Sequence, residues 1–368
     1  MINIKTPEFY ISEPGAVNQL SEFTNMKIHK GNRKVIVVWS KTPKAILEKK
    51  VAEDFEKAGI EYQEFLFEGF PTDEKAERVA QQAEAFGASV LIAAGGGRVM
   101  DVTKAAGNIA ELPVITVPTI AATCAPWAAV SIIYTEEGDF KRFQFNSRAP
   151  EVILADTEII AAAPIRYIKS GIVDTFAKWY EPRYDTFDTY VTHISRTTSK
   201  LAYDFLSQEG VGVVENLEKG IVDEKTIKTI DAIIFLAGNI GSFIGGEAFS
   251  GYAHPFYHSS RRFPSTQVRM HGELVAFGLV LQGVYEKKPE DEIFGRIRLF
   301  DSFDNAYELS ELGLDTDEKL QVVARRIITD FKHEENPPKE EVNGLFEALK
   351  QTDAYVKEYR RKRKTERK

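Results

Sequence analysis

The sequence predicts an α/β N-terminal half built on a parallel sheet and an all-α C-terminal half. Three observations carry this. Short apolar runs alternate with amphipathic stretches as far as Ala155, a glycine triplet follows the third run, and after Pro164 apolar residues recur mostly at helical spacing.

In order, Lys34–Trp39 reads as a buried strand and Thr42–Gly59 as a helix stopped by its glycine. Ile60–Phe67 is a second strand, Thr72–Phe86 a second helix and Ser89–Ala94 a third strand. A helix from Arg98 to about Asn108 and a strand from Pro113 to Val117 continue the rhythm. Val130–Tyr134 and Phe140–Phe145, joined through Glu136-Glu137-Gly138, read as a β-hairpin that interrupts it, and Val152–Ala155 is one more strand. Helical spacing then dominates, for example through Thr226–Ile244 and Glu273–Val284. The domain boundary is placed near residue 162, giving an α/β domain over 1–162 and an all-helical domain over 163–368.

A chain of 368 residues suits two packed domains. With 43% hydrophobic and 28% charged residues it has the balance of a soluble globular protein. The net charge of -8 argues against nucleic acid as the main partner, because phosphate contacts need a dominant basic surface. The basic run Arg360-Arg361-Lys362-Arg363-Lys364 reads as a frayed, solvated helix end. Cys124 is the sole cysteine, so no internal disulfide forms, which fits a reducing cytoplasm. No signal peptide is expected at the N-terminus, and no apolar run is expected to approach the ~20 residues of a membrane span. The expected setting is therefore cytoplasmic, with a small-molecule substrate and no membrane or nucleic-acid partner.

Gly95-Gly96-Gly97 joins a strand to a helix. Three glycines let backbone amides approach a pyrophosphate, and the helix offers its positive N-terminal end. The spacing is not the Gly-x-Gly-x-x-Gly of the Rossmann fingerprint, so a tight turn without ligand is the competing reading. Thr119 and Thr123 follow the next strand and could donate to phosphate or ribose. In the second half, Asp174 lies in an apolar helical stretch where a carboxylate is costly unless paired or metal-bound. With His254 and His271 it would make a catalytic zinc-type shell with one position open. His29, His193 and His333 sit in polar contexts and receive no function. His258 reads as a residue lining the substrate cleft, and Arg261 and Arg262 as solvated loop charges, with contact to an anion as the alternative.

Together these segments resemble the glycerol dehydrogenase branch of the iron-containing (group III) alcohol dehydrogenases. The resemblance is carried by Gly95-Gly-Gly-x-x-x-Asp101-x-x-Lys104, Pro118-Thr-Ile-Ala-Ala-Thr123-Cys-Ala-Pro126, Val130-Ser-Ile-Ile-Tyr134, Gly171-Ile-Val-Asp174 and His271-Gly-Glu-Leu-Val-Ala-Phe-Gly278. It implies the two-domain fold shared with dehydroquinate synthase, a Rossmann-like first domain and an active site in the cleft between domains. It implies Zn2+, ahead of Fe2+, on Asp174, His254 and His271. NAD or NADP would lie along Gly95, Gly96, Gly97, Asp101, Thr119 and Thr123, with Ala128, Val130 and Tyr134 flanking the nicotinamide. The metal would act as a Lewis acid on the substrate oxygen while the cofactor carries the hydride. A homo-oligomer is also implied.

Three departures from that branch redirect the expectation. Cys124 stands where glycerol dehydrogenases have an Asp expected to engage the glycerol hydroxyls, and cysteine is a weak hydrogen-bond partner. Lys178, four residues after Asp174 and on the same helix face, replaces the histidine ligand of iron-type relatives. It either meets a substrate carboxylate, or pairs with Asp174 or points to solvent. Both changes favour an anion, so a small 2-oxo acid and its 2-hydroxy acid are expected. Relatives described as hydroxycarboxylate dehydrogenases are similar here, with Thr-Cys-Ala and Ala-Lys-Trp-Tyr-Glu. Finally, Val38-Trp39-Ser40-Lys41 lacks the Asp that holds the adenosine ribose in NAD-specific relatives, so Ser40 and Lys41 could accept a 2′-phosphate. Glycerol oxidation, a dehydroquinate synthase-like or glycerol-1-phosphate reaction, and a non-catalytic nucleotide binder are the rival readings.

Overall fold

The computed structural model describes residues 4–28, 31–184, 188–248, 251–332 and 335–366. By internal contacts the chain divides into two units. The first is Met1–Ile168 with Gly212–Phe243, and the second is Lys169–Val211 with Ile244–Lys368. A division near residue 162 would leave Gly212–Phe243 in the second half. The structure packs that segment with the first, through Tyr10, whose hydroxyl donates to Asp231 at 2.7 Å, and Trp127, whose Nε1 donates to Ser242 at 3.1 Å.

The first unit opens with β1 (Phe9–Glu13), a short 3-10 turn (Ala16–Gln19) and α1 (Leu20–Lys27). There follow β2 (Lys34–Trp39), α2 (Lys41–Ala58), β3 (Glu61–Leu66), α3 (Asp73–Phe86), β4 (Val90–Gly95), α4 (Gly97–Ala110) and β5 (Val114–Pro118). The hairpin is β6 (Val130–Tyr134) and β7 (Phe140–Phe145), antiparallel, and β8 (Val152–Asp156) leads into α5 (Thr157–Ala161). Six strands form one parallel sheet in the order β1-β8-β5-β4-β2-β3. Both faces are covered, so β2 is apolar from Val35 to Trp39. Val35, Val37 and Trp39 pack with Leu47, Val51 and Phe55 of α2, while Ile36 and Val38 pack with α3 and α4. β3 is the exposed edge, and its glutamates blunt that edge against further pairing.

The second unit contains no strand among the described residues. It holds α6 (Arg166–Tyr180) from Lys169 onward and the first part of α7 (Tyr190–Glu218). The rest of α7 belongs to the first unit, with α8 (Glu224–Asp231), a π-helical turn (Ala232–Leu236) and the start of α9 (Ala237–Ala248). Then come α10 (Ala253–Ser260), α11 (Pro264–Gln267), α12 (His271–Tyr285), α13 (Glu290–Asp301), α14 (Asp317–Phe331) and α15 (Lys339–Glu366).

Two expectations are corrected. Glu224–Phe243 is one helical run long and apolar enough, by length and composition, to cross a membrane. Half of it is buried inside the fold, the usual state of a core helix. The basic tail is not frayed: α15 runs to Glu366, with Arg360 on Glu308 and Glu311, Arg363 on Asp301, and Lys362 on Glu358.

Candidate dinucleotide loop and metal centre

The order of the parallel sheet reverses between β2 and β4, which are neighbours although β3 separates them in sequence. In open parallel sheets that reversal leaves a crevice at the carboxyl ends of the strands. Ser40 and Lys41 follow β2 there, and Gly95, Gly96 and Gly97 end β4 and start α4. Gly95 has φ +155°, and a Cβ on it would meet Val99 at 3.0 Å and Pro43 of α2 at 3.4 Å, so the two loops lie side by side. Beside them, the Thr119 N–H donates to the Gly95 carbonyl at 3.1 Å. The first amides of α4 have no partner one turn back within the helix, which is the arrangement that takes a phosphate.

The loop from Thr123 to Val130 is held from beneath by Lys104. Its ammonium donates to the carbonyls of Ala125 (2.8 Å), Ala128 (3.1 Å) and Val130 (2.6 Å) and lies 3.1 Å from Asp101 Oδ1. Asp101 is buried, which pushes its carboxyl up from the usual range against the opposing pull of Lys104 and the Ile132 N–H. Asp101 thus braces this loop and the hairpin. Thr123 Oγ1 accepts from the Ala125 N–H at 3.3 Å, and half-buried Cys124 heads a turn closed by the N–H groups of Trp127 and Ala128. Tyr134 is buried against Phe70 at the end of β6.

In the second unit, Asp174 sits on α6, His254 on α10 and His271 at the start of α12. α12 reaches α6 closely because Gly272 has no side chain: a Cβ there would come within 2.2 Å of the Ser170 carbonyl. The Gly272 N–H instead donates to Ser170 Oγ at 2.8 Å. The Nε2 atoms of His271 and His254 then lie 2.9 and 3.3 Å from the same Asp174 oxygen. Three donors about one tetrahedral Zn2+ at ~2.0–2.1 Å would be separated by roughly 3.3–3.4 Å. The trio fits, each member offering a ligand atom within 4.8 Å of the others. The histidine side chains retain 16% and 20% exposure against 3% for Asp174, so a further ligand has access from the histidine side.

The electrostatics suit a cation. Burial pushes the Asp174 carboxyl up, but His271, Lys178 and His254 outweigh it and hold the group well below the usual carboxylate range. Burial opposes charge on His254, yet Glu181 and Asp174 push it up to about 9. A metal arriving here displaces a proton. Burial lowers His271, with His254 and Lys178 acting in the same sense. Lys178 is buried one turn after Asp174, and its backbone carbonyl accepts from Tyr184 Oη and Ser199 Oγ, both at 2.6 Å.

Other expected residues fall elsewhere. His258 is buried and stacked on Phe331, with ring planes 19° apart, so it is a packed histidine and not a cleft-lining one. Arg261 is 2% exposed and donates to the Thr266 carbonyl, so it is not a solvated loop charge. His193 is exposed and pairs with Asp188. His29 and His333 lie outside the described residues. Glu181, to which the sequence reading gives no role, is buried against His254. Its signal was spacing, since Asp174, Lys178 and Glu181 follow at i, i+4 and i+7 on one helix face.

A phosphate-ready loop at a sheet's topological switch and a trio of metal-competent side chains in a helical unit define a metal-dependent dehydrogenase. Residues 7–157 match the family described as "Iron-containing alcohol dehydrogenase". A glycerol dehydrogenase of Thermotoga maritima is 31% identical, the match covering 95% of this chain and 96% of that protein. Hydroxycarboxylate dehydrogenase A of Escherichia coli is 27% identical, with 86% of each chain covered. The crystal structure of a probable glycerol dehydrogenase from Sinorhizobium meliloti superposes with a TM-score of 0.85 at 23% identity, over 97% of this chain and 100% of that one, and speaks for the fold. The chain belongs to the iron-containing alcohol dehydrogenase family and is an oxidoreductase acting on a CH–OH group.

Proposed function

We propose that the enzyme interconverts a small 2-oxo acid and its 2-hydroxy acid, with Zn2+ on Asp174, His254 and His271 and a nicotinamide dinucleotide on the Gly95–Gly97 loop. The observation that carries this is Lys178. Its ammonium acts on Asp174, His254, His271 and Glu181 alike, so it belongs to the metal trio's immediate surroundings. Two carboxylates, one ammonium and a dication leave a single net positive charge. A monoanionic substrate balances it, and a neutral polyol does not. Cys124 adds no negative charge to the loop where related enzymes have Asp.

A bound Zn2+ would supply Lewis acidity at the substrate oxygen. The chain's own tasks are to hold that ion, to orient the substrate carboxylate on Lys178, and to seat the pyrophosphate on the amides of α4. Replacing Lys178 with Gln is expected to cut kcat/KM on 2-oxobutanoate and 2-oxoglutarate about 10–100-fold, the worth of one charged hydrogen bond. The loss should fall mainly on KM, and uncharged aldehydes should lose far less. Efficient glycerol oxidation without oxo-acid turnover would overturn the proposal in favour of a polyol enzyme, the reading supported by the Thermotoga maritima relative.

For the cofactor, Ser40 occupies the N-cap of α2 without using its side chain there, and Lys41 is 77% exposed and 2.7 Å from Glu68. An exposed pair of this kind contributes ~0–1 kcal/mol, so a 2′-phosphate competes easily for Lys41 while Glu68 repels it. We therefore propose that NADP(H) is accepted and that Glu68 limits it. Glu68→Gln should raise the ratio of NADPH to NADH efficiency several-fold, about the effect of ~1 kcal/mol. An unchanged, strong NADH preference in that variant would refute the role given to Ser40 and Lys41.

A further inference from the structure

We infer that Glu181 is a positioning residue that fixes both the backbone and the ring tautomer of His254, and so sets how tightly the metal is held. The inference rests on the metal reading of Asp174, His254 and His271.

The Glu181 carboxylate is fully buried and divides its two oxygens. Oε1 accepts the backbone N–H groups of Ala253 (2.9 Å) and His254 (3.0 Å), amides at the start of α10 that have no partner within the helix. Oε2 accepts the proton on His254 Nδ1. One side chain therefore holds His254 at both its backbone N–H and its ring, and the residue before it at its N–H. A carboxylate can only accept, so Nδ1 must carry the proton. In neutral imidazole that leaves the lone pair on Nε2, the atom that faces Asp174.

Two further contacts keep Glu181 in place. Gly251 lies so near that a Cβ would fall 2.4 Å from Glu181 Cβ and Cγ, so any side chain at 251 displaces the glutamate. Gln282 of α12 accepts from the Tyr252 N–H at 3.1 Å and donates to the Tyr180 carbonyl at 3.0 Å, tying the residue before Glu181 to the residue before Ala253.

A mere helix cap and a tautomer-setting group respond differently to Gln. The Glu181→Gln amide oxygen still accepts the two backbone N–H groups, but its NH2 donates, opposes Nδ1–H and favours the tautomer with Nε2 protonated. Zn2+ affinity of the full chain, measured by chelator competition, and the melting temperature of the metal-free protein separate the two. Glu181→Ala and Glu181→Gln should both bind Zn2+ about 10–100-fold more weakly than wild type, the range for partners that orient a metal ligand. Gln should nevertheless keep more of the metal-free melting temperature than Ala. Gly251→Ala, with the carboxylate intact but displaced, should also weaken Zn2+. Wild-type Zn2+ affinity in Glu181→Gln would overturn the inference and leave Glu181 a helix cap. Failure of the wild-type protein to bind Zn2+ would instead overturn the metal reading beneath it.

Discussion

Lys104→Met should lower the stability of the first unit by about 3–5 kcal/mol, the cost of removing one partner from a buried charge pair. Methionine fills the same volume, so packing changes little. What is lost is a cation serving the carbonyls of Ala125, Ala128 and Val130 together with Asp101. Those carbonyls and a carboxylate already pushed up by burial are then stranded. For a unit of this size each kcal/mol shifts the melting temperature by about 2–4 °C, so calorimetry should show a fall of about 6–20 °C. Adding Asp101→Leu should recover part of it, because a pair replaced together leaves less uncompensated charge than a pair broken on one side. If the single variant melts like wild type, the brace beneath the Thr123–Val130 loop is not what holds that loop.

Asp174→Asn should abolish turnover, lowering kcat by about 10³-fold or more, the rate equivalent of several kcal/mol of Lewis-acid stabilisation. Asparagine matches the shape of Asp174 but removes the anion that faces both imidazoles and Lys178. The metal-free variant should melt within a few degrees of wild type, since His254 can shed the proton that Asp174 helps it keep. The distinguishing measurement is the thermal response to zinc. Wild type should gain about 2.7 kcal/mol at 100 times Kd, and the variant nothing. Zinc stabilisation that survives Asp174→Asn would move the ion away from this trio.

Much of this was legible in the chain. The period-2 burial of β2 on two opposite cores, the α2 stop at Gly59 and the hairpin after Tyr134 all follow local rules, and they fall where those rules place them. β1 was not visible, because Phe9–Glu13 has exposed ends and no alternating core face; it is a strand only through its pairing with β8. The return of Gly212–Phe243 to the first unit was equally hidden, since helical spacing shows which face is buried but not which core receives it. Asp174, His254 and His271 were singled out by residue type and setting, and the structure brings the three side chains together. Lys104 and Glu181 were given no role of their own: the i, i+7 spacing put Glu181 on the face of Asp174, but the carbonyls and amides that Lys104 and Glu181 serve lie on segments remote in sequence.

The pairing of β1 with β8, and of Tyr10 with Asp231, has a consequence for synthesis. The strand made first finds its sheet partner only about 140 residues later, and the unit is not whole until Phe243 has been added. At ~5–20 residues per second, a ribosome needs roughly 12–50 s to deliver that segment. Until β8 emerges, the nascent sheet keeps an open β5 edge and an unpaired N-terminal strand. The most vulnerable period for this enzyme therefore lies before His254 and His271 have been translated, when an ion held by the proposed trio cannot yet stabilise what has emerged.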